Sequence, residues 1–206
     1  MYKSEFEKLG KLMDKYDSDY LKVCKESRQR HIASLTPGSK VPEDVSIIYD
    51  EEGRVKFENL CKGYQEEAEK IMDSIIRDLK GQVSYVPTAD DVALLTMLNM
   101  RSKDNLSAEE IACYLDKYKD IPQMYNAIAD IYATKNGKEY AKKHPLLSII
   151  EEAESLKDSI LTVLKPDYAG TTLANDGDAY IAGKTYKAAA KYQMESLSER
   201  LSDLNI

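Results

Sequence analysis

The chain has 206 residues, 43% of them hydrophobic, with 29 Lys and Arg against 36 Asp and Glu and a net charge of −7. That hydrophobic share excludes wholesale disorder, and neither half of the chain is basic enough to grip a nucleic-acid backbone by counterion release. No apolar run reaches the roughly 18 residues of a membrane span.

Glycine (9) and proline (6) are scarce, so few residues break a helix. Fifteen tyrosines stand beside two phenylalanines and no tryptophan. Tyrosine buries a ring but keeps a hydroxyl in need of water or a partner, which suits helix seams and interfaces.

From the N-terminus, Tyr2, Phe6, Leu9, Met13, Tyr16, Tyr20 and Val23 recur at alternating spacings of four and three. That is a heptad seam, and it predicts a helix from about Ser4 to Ser34 with a narrow aromatic stripe and a wet remainder. Thr36-Pro37-Gly38 stops it. Val45–Tyr49 is a short β-branched run before Asp50-Glu51-Glu52-Gly53; it reads as an extended segment or as one arm of a small hairpin with Arg54–Phe57. A second long helix is expected from about Val55 to Leu79, with Phe57, Cys61, Tyr64, Ala68, Ile71 and Ile75 on its seam. The two long helices form either an antiparallel hairpin or two arms that pair with other molecules.

Thr88 caps a third helix through Val92, Leu94, Leu95, Met97, Leu98 and Met100, apolar nearly all round and therefore expected at the centre of the fold. Ser107 and Glu110 form a capping box for a fourth. Pro122 starts a fifth, which Asn136-Gly137 ends, and Pro145 starts a sixth that Lys165-Pro166 ends. Residues 166–178 read as a turn-rich connection, and a last helix runs from about Tyr180 to Leu204 with Ala190, Met194, Leu197, Leu201 and Leu204 on its seam. The fold class is all-α: a helical hairpin or arm over 1–80 and a compact helical bundle over 86–206.

Few motifs point to chemistry. Gly177–Thr185 (GDAYIAGKT) has five residues between its glycines where a phosphate loop needs four, and no strand precedes it. The clusters Asp14–Asp19 and Asn175–Asp178 lack the ligand order of a calcium loop, and the first reads as a solvated helix face. His31 and His144 belong to no metal motif, and no nucleophile frame surrounds any serine or cysteine. Cys24, Cys61 and Cys113 are odd in number and form no CxxC, as in reduced thiols of a cytosolic protein. The charged N-terminal run to Asp17 is unlike a signal peptide.

The tract Asp104–Gly137 carries Leu106, Ser107, Glu109, Glu110 and Ile111 at a capped helix start and Tyr118-Lys119-Asp120 in a short link. Tyr125, Ala127, Ile128 and Ile131 follow on a second helix, which ends at Lys135-Asn136-Gly137. In this it resembles helical head-gene products of tailed phages of Gram-positive bacteria, with Ile121-Pro122 standing where that pattern has small link residues. The resemblance implies a structural or assembly role in a virion and carries over no catalytic residue.

The expectation is a non-enzymatic protein without metal or cofactor, in the host cytoplasm or a virion, binding protein rather than nucleic acid or membrane. Its partner is a copy of itself or a virion component, met through Tyr2, Phe6, Leu9, Met13, Tyr16 and Tyr20. The alternative is an acidic helical module that inhibits or regulates a host protein.

Overall fold

In the computed structural model, which describes residues 2–43, 45, 47–101, 106–136, 144–165 and 177–204 (the side chains of 136 and 177–184 excepted), the described residues form seven α-helices and no strand. These are α1 (Lys3–Ser34), α2 (Glu51–Gln82), α3 (Ala89–Met100), α4 (Ala108–Lys117), α5 (Pro122–Asn136), α6 (Pro145–Val163) and α7 (Gly177–Asp203). None is long and apolar enough to cross a membrane. Of the expected connection over 166–178, residues 166–176 lie outside the described residues, as do the Gly137 helix stop and the Asp104-Asn105 start of the phage-like tract, while Gly177 and Asp178 already belong to α7.

The chain divides into two compact units, Met1–Ile75 with Ala153–Ile206, and Ile76–Glu152, so that the division falls inside α2 and inside α6. These units differ from the expected 1–80 and 86–206, because the C-terminal helices pack with the N-terminal hairpin.

In the first unit α1 and α2 pair antiparallel. The rings of Tyr16 and Tyr20 meet Phe57 at 6.1 and 4.9 Å, and Tyr16 meets Tyr64 edge-on at 5.5 Å. Such ring pairs contribute about 0.5–1.5 kcal/mol each beyond area burial. The Tyr64 hydroxyl donates to Asp19 at 2.7 Å, and the Tyr16 hydroxyl lies 3.5 Å from the Cys61 sulfur. Burial first, then these partners, raise both phenols above their ordinary pKa, and burial pushes the Cys61 thiol up to about 11. Along α2, Met72 rather than the expected Ile71 is the buried residue of its turn.

The α1–α2 connection is built around Ser27 and Asp50. Thr36-Pro37-Gly38 turns the chain as expected, with Gly38 at φ +92° and Ser39 N–H donating to Thr36 O at 3.1 Å. Arg28 holds Pro42 O with two hydrogen bonds of 2.8 and 3.0 Å. Of the two readings of Val45–Tyr49, the hairpin with Arg54–Phe57 is not formed: those residues are helical, and α2 starts at Glu51 instead of Val55. The physical reason is Asp50, whose carboxylate accepts from Gly53 N–H at 2.6 Å, as a helix N-cap does. The same carboxylate takes Arg30 in a fork at 2.6 and 3.0 Å and the Ser27 hydroxyl at 3.0 Å. Arg30 above all holds the Asp50 pKa down, to about 2.

Helix α7 runs antiparallel to α1, and charge ties the two. Lys187 reaches Asp14 at 2.9 Å and Asp17 at 2.5 Å, and Lys191 reaches Asp14 at 2.8 Å. The acidic run Asp14–Asp19 faces solvent as expected, with the Asp14 side chain 60% and the Asp17 side chain 47% exposed, and its acids also hold α7 and Tyr64. Burial disfavours the Lys187 ammonium, but Asp17 and Asp14 outweigh it and leave its pKa raised. Helix α6 lies antiparallel to α2, with Lys157 bonded to Glu69 at 3.0 Å and Asp73 at 2.7 Å. Of the expected α7 seam, Ala190, Met194, Leu197 and Leu201 are buried, whereas Leu204, just past the end of the helix, is exposed.

The second unit has a core of Leu98, Leu106, Ile111, Tyr118, Met124 and Ile128, supplied by α3, α4, α5 and the residues between them. Ser107 caps α4 by accepting Glu110 N–H at 3.1 Å, while the Glu110 side chain pairs with Arg101 instead of closing the expected box. His144 caps α6: its Nδ1 accepts Leu146 N–H at 3.2 Å, so its Nε2 carries the proton donated to Lys119 O at 2.8 Å.

Candidate interaction surface on helix α3

Helix α3 begins at Thr88, the expected N-cap, in a complete capping box. Thr88 Oγ1 accepts Asp91 N–H at 3.3 Å, and Asp91 accepts Thr88 N–H at 2.8 Å. Asp91 does more than cap. It is buried, and it also accepts the hydroxyls of Tyr85 at 2.5 Å, Thr88 at 2.7 Å and Tyr118 at 2.7 Å. Tyr85, Thr88 and Tyr118, in that order of effect, hold the Asp91 pKa far below the usual carboxylate range, while Asp91 in turn pushes Tyr118 up to about 12. A buried ionised carboxylate is tolerated only when so surrounded by donors. Tyr118 ends α4, so this cluster bolts the N-terminus of α3 to α4.

The C-terminal end of α3 is also held. The Lys135 ammonium, in the last turn of α5, donates to Asn99 O at 2.6 Å and to Arg101 O, covering carbonyls that the helix leaves without partners. Arg101 pairs with Glu110 of α4. Both ends of this short helix are therefore fixed by charge-assisted bonds.

One face of α3 is core. Asp91 and Leu98 are buried and Leu94 and Leu95 half-buried. The other face is not. Ala89, Val92, Ala93, Thr96, Met97 and Met100 are all exposed, Val92 at 56%, Met97 at 41% and Met100 at 83%. At 100° per residue these six fall within an arc of about 140°, the width of an ordinary core-facing stripe. The Thr96 hydroxyl donates to Val92 O at 2.8 Å, back into the helix, so this position adds little polarity to the stripe. No charged residue interrupts it; Asp90 lies at its margin. The helix expected at the centre of the fold on account of its all-round apolarity is thus central on one side only. Periodicity could not show this, because both faces carry the same kind of residue.

The six residues expected to bind a partner are placed elsewhere. Tyr2, Phe6, Leu9, Met13, Tyr16 and Tyr20 are all buried in the first unit, Leu9 and Met13 completely. The structure seats this seam against α2 and α7 of its own chain, so in this form it offers no free apolar face. An open groove of about 590 Å³ does run beside it between α1 and α7, over Phe6, Gly10 and Met194, but its rim is charged with Lys3, Glu7, Lys11 and Glu199. Among the described residues no group of three or more His, Cys, Asp or Glu side chains could hold a metal ion.

No protein-family model, curated protein or solved structure matches this chain. The reading of α3 therefore rests on its own geometry. A contiguous apolar stripe on a helix pinned at both ends is already ordered, so a partner would spend little entropy in ordering it.

Proposed function

We propose that this chain is a non-enzymatic structural or assembly protein that works through helix–helix contact, and that the outward stripe of α3 is its contact surface. The observation that carries the reading is the exposure of Val92, Met97 and Met100 on one face of a helix whose ends are clamped by Asp91 and Lys135. Solvent-facing helix positions are ordinarily polar, and methionine is favoured where a surface must pack against another protein. The resemblance of Asp104–Gly137 to phage head-gene products supports virion assembly as the setting, and that tract supplies α4 and α5, the helices that hold α3 in place. The pairing of Asp14, Asp17, Glu69, Asp73 and Asp50 with cations of their own unit favours this reading over an acidic inhibitor, which would keep its carboxylates free for a basic target.

Methionine oxidation tests it. In the dilute purified chain, peroxide should oxidise Met97 and Met100 quickly, while the buried Met13, Met72 and Met124 resist. In the native cell or particle Met97 and Met100 should be protected. If they oxidise there as fast as in the dilute chain, α3 is not a contact surface and the reading fails.

A further inference from the structure

We propose that the partner of α3 is α3 of a second copy, packed antiparallel about a two-fold axis; this rests on the reading of α3 as a contact surface. Size and charge along the stripe both favour this pairing. In an antiparallel pair centred between Leu94 and Leu95, each residue meets the one whose number completes the same sum. Ala89 then faces Met100 of the copy, Val92 faces Met97, and Ala93 faces Thr96. The largest side chain meets the smallest, and the residues next to the axis are small enough for the helices to approach to about 8 Å. A parallel pair sets Met100 against Met100 and Ala89 against Ala89, which leaves a clash at one end and a void at the other.

Charge favours the same arrangement. The exposed N-terminal margin of α3 is acidic, with Asp90, and its C-terminal end keeps a net positive charge, with Lys135 on the helix carbonyls and Arg101 paired to Glu110. Antiparallel pairing brings each acidic end to a basic one, and parallel pairing sets Asp90 against Asp90. With the whole stripe covered on both copies, the pair buries on the order of 1,000 Å² in total, at the lower limit of specific interfaces, so the dimer should be weak.

The test uses the full chain in sedimentation velocity across a series from low micromolar to submillimolar concentration. The wild type should pass from monomer to dimer. Val92→Lys and Met97→Glu, each at an exposed position, should keep the helical circular dichroism and each weaken association by roughly tenfold or more. Mixing the two variants should restore dimer, because in the antiparallel register position 92 of one copy meets position 97 of the other. A wild type that stays monomeric throughout, or a mixture no better than either variant alone, overturns the proposal. Met97 and Met100 protected in the native setting beside a strictly monomeric chain would mean a different protein occupies α3: the dimer fails and the contact surface stands. Loss of both results removes both.

Discussion

The placement of the N-terminal seam is open to a direct test through Leu9 and Met13, both completely buried on α1. Truncating a buried Leu or Met to Ala removes its transfer free energy and leaves a cavity, at a cost of about 2–5 kcal/mol per site. The two positions are one helical turn apart and share surroundings, so their costs need not add fully. A double variant, Leu9→Ala with Met13→Ala, should lose about 4–8 kcal/mol, against a whole-domain stability of about 5–15 kcal/mol. With a urea dependence of about 1–3 kcal/mol per molar, the midpoint followed by circular dichroism should fall by roughly 1.3 M or more. If the two compact units unfold separately, the transition splits and the first unit's phase should move alone. The reasoning is refuted if the midpoint shifts by only a few tenths molar while a concentration-dependent mass is lost. That result would mean the seam is an interface and its burial in the single chain is wrong.

The other expectations are local. A Cβ on Gly53 would sit 2.7 Å from Asp50 Oδ1, 2.8 Å from Ile48 Cγ2 and 2.9 Å from Ser27 Cβ, so Gly53→Ala should destabilise by about 1–3 kcal/mol in urea titrations. Gly10 has nothing within 4 Å of such an atom, and Gly10→Ala should stabilise by about 0.5–1 kcal/mol; equal effects at both sites would remove the argument for close packing at Asp50. The native pKa of Asp50 is lowered to about 2 by Arg30. Its stabilisation is therefore complete above its unfolded value, near pH 4, and is lost as pH falls through about 2. Because a quarter of its side chain is exposed, the contribution is about 1–2 kcal/mol after screening, and Asp50→Asn should flatten the melting temperature between pH 4 and 2; an unchanged slope would count against the Arg30 fork. Finally, Cys113 is exposed while Cys24 and Cys61 are buried, so a thiol reagent should titrate one group in the native chain and three in denaturant. Fast reaction of more than one native thiol would contradict the packing of α1 on α2.

Most helix boundaries were legible because their signals are local. Thr88, Ser107, Pro122 and Pro145 mark starts by the backbone groups they satisfy or lack, and each is found at or beside the observed start. The start of α2 was misread because Val45–Tyr49 looks like a strand in isolation, whereas Asp50 closes on Gly53 and brings in Ser27 and Arg30 from α1. Those last contacts join residues 20 and 23 positions apart, which no short window of the sequence displays. The same limit hid the pairing of Asp14 and Asp17 with Lys187, across about 170 positions. Charge at i and i+4 is visible along one helix, but charge shared between helices is not.

The candidate surface was missed for a different reason. A seam of Tyr2, Phe6, Leu9, Met13, Tyr16 and Tyr20 and a stripe of Val92, Met97 and Met100 are both apolar and both helical in period, and the period says only that a face will be covered. Which molecule covers it depends on how much complementary surface the chain itself provides. For α1 it provides α2 and α7, two helices with facing rings and matched charges. For α3 it provides a core that covers only the Asp91, Leu94, Leu95 and Leu98 side. One signal did lie in the sequence. Asp91 is a lone acid in register with leucines at i+3, i+4 and i+7, and an acid so placed has to be ringed by donors if its face is the buried one. Tyr85, Thr88 and Tyr118 are those donors. The acid therefore marks the inner side of α3, and Met97 and Met100 lie exposed on the opposite side.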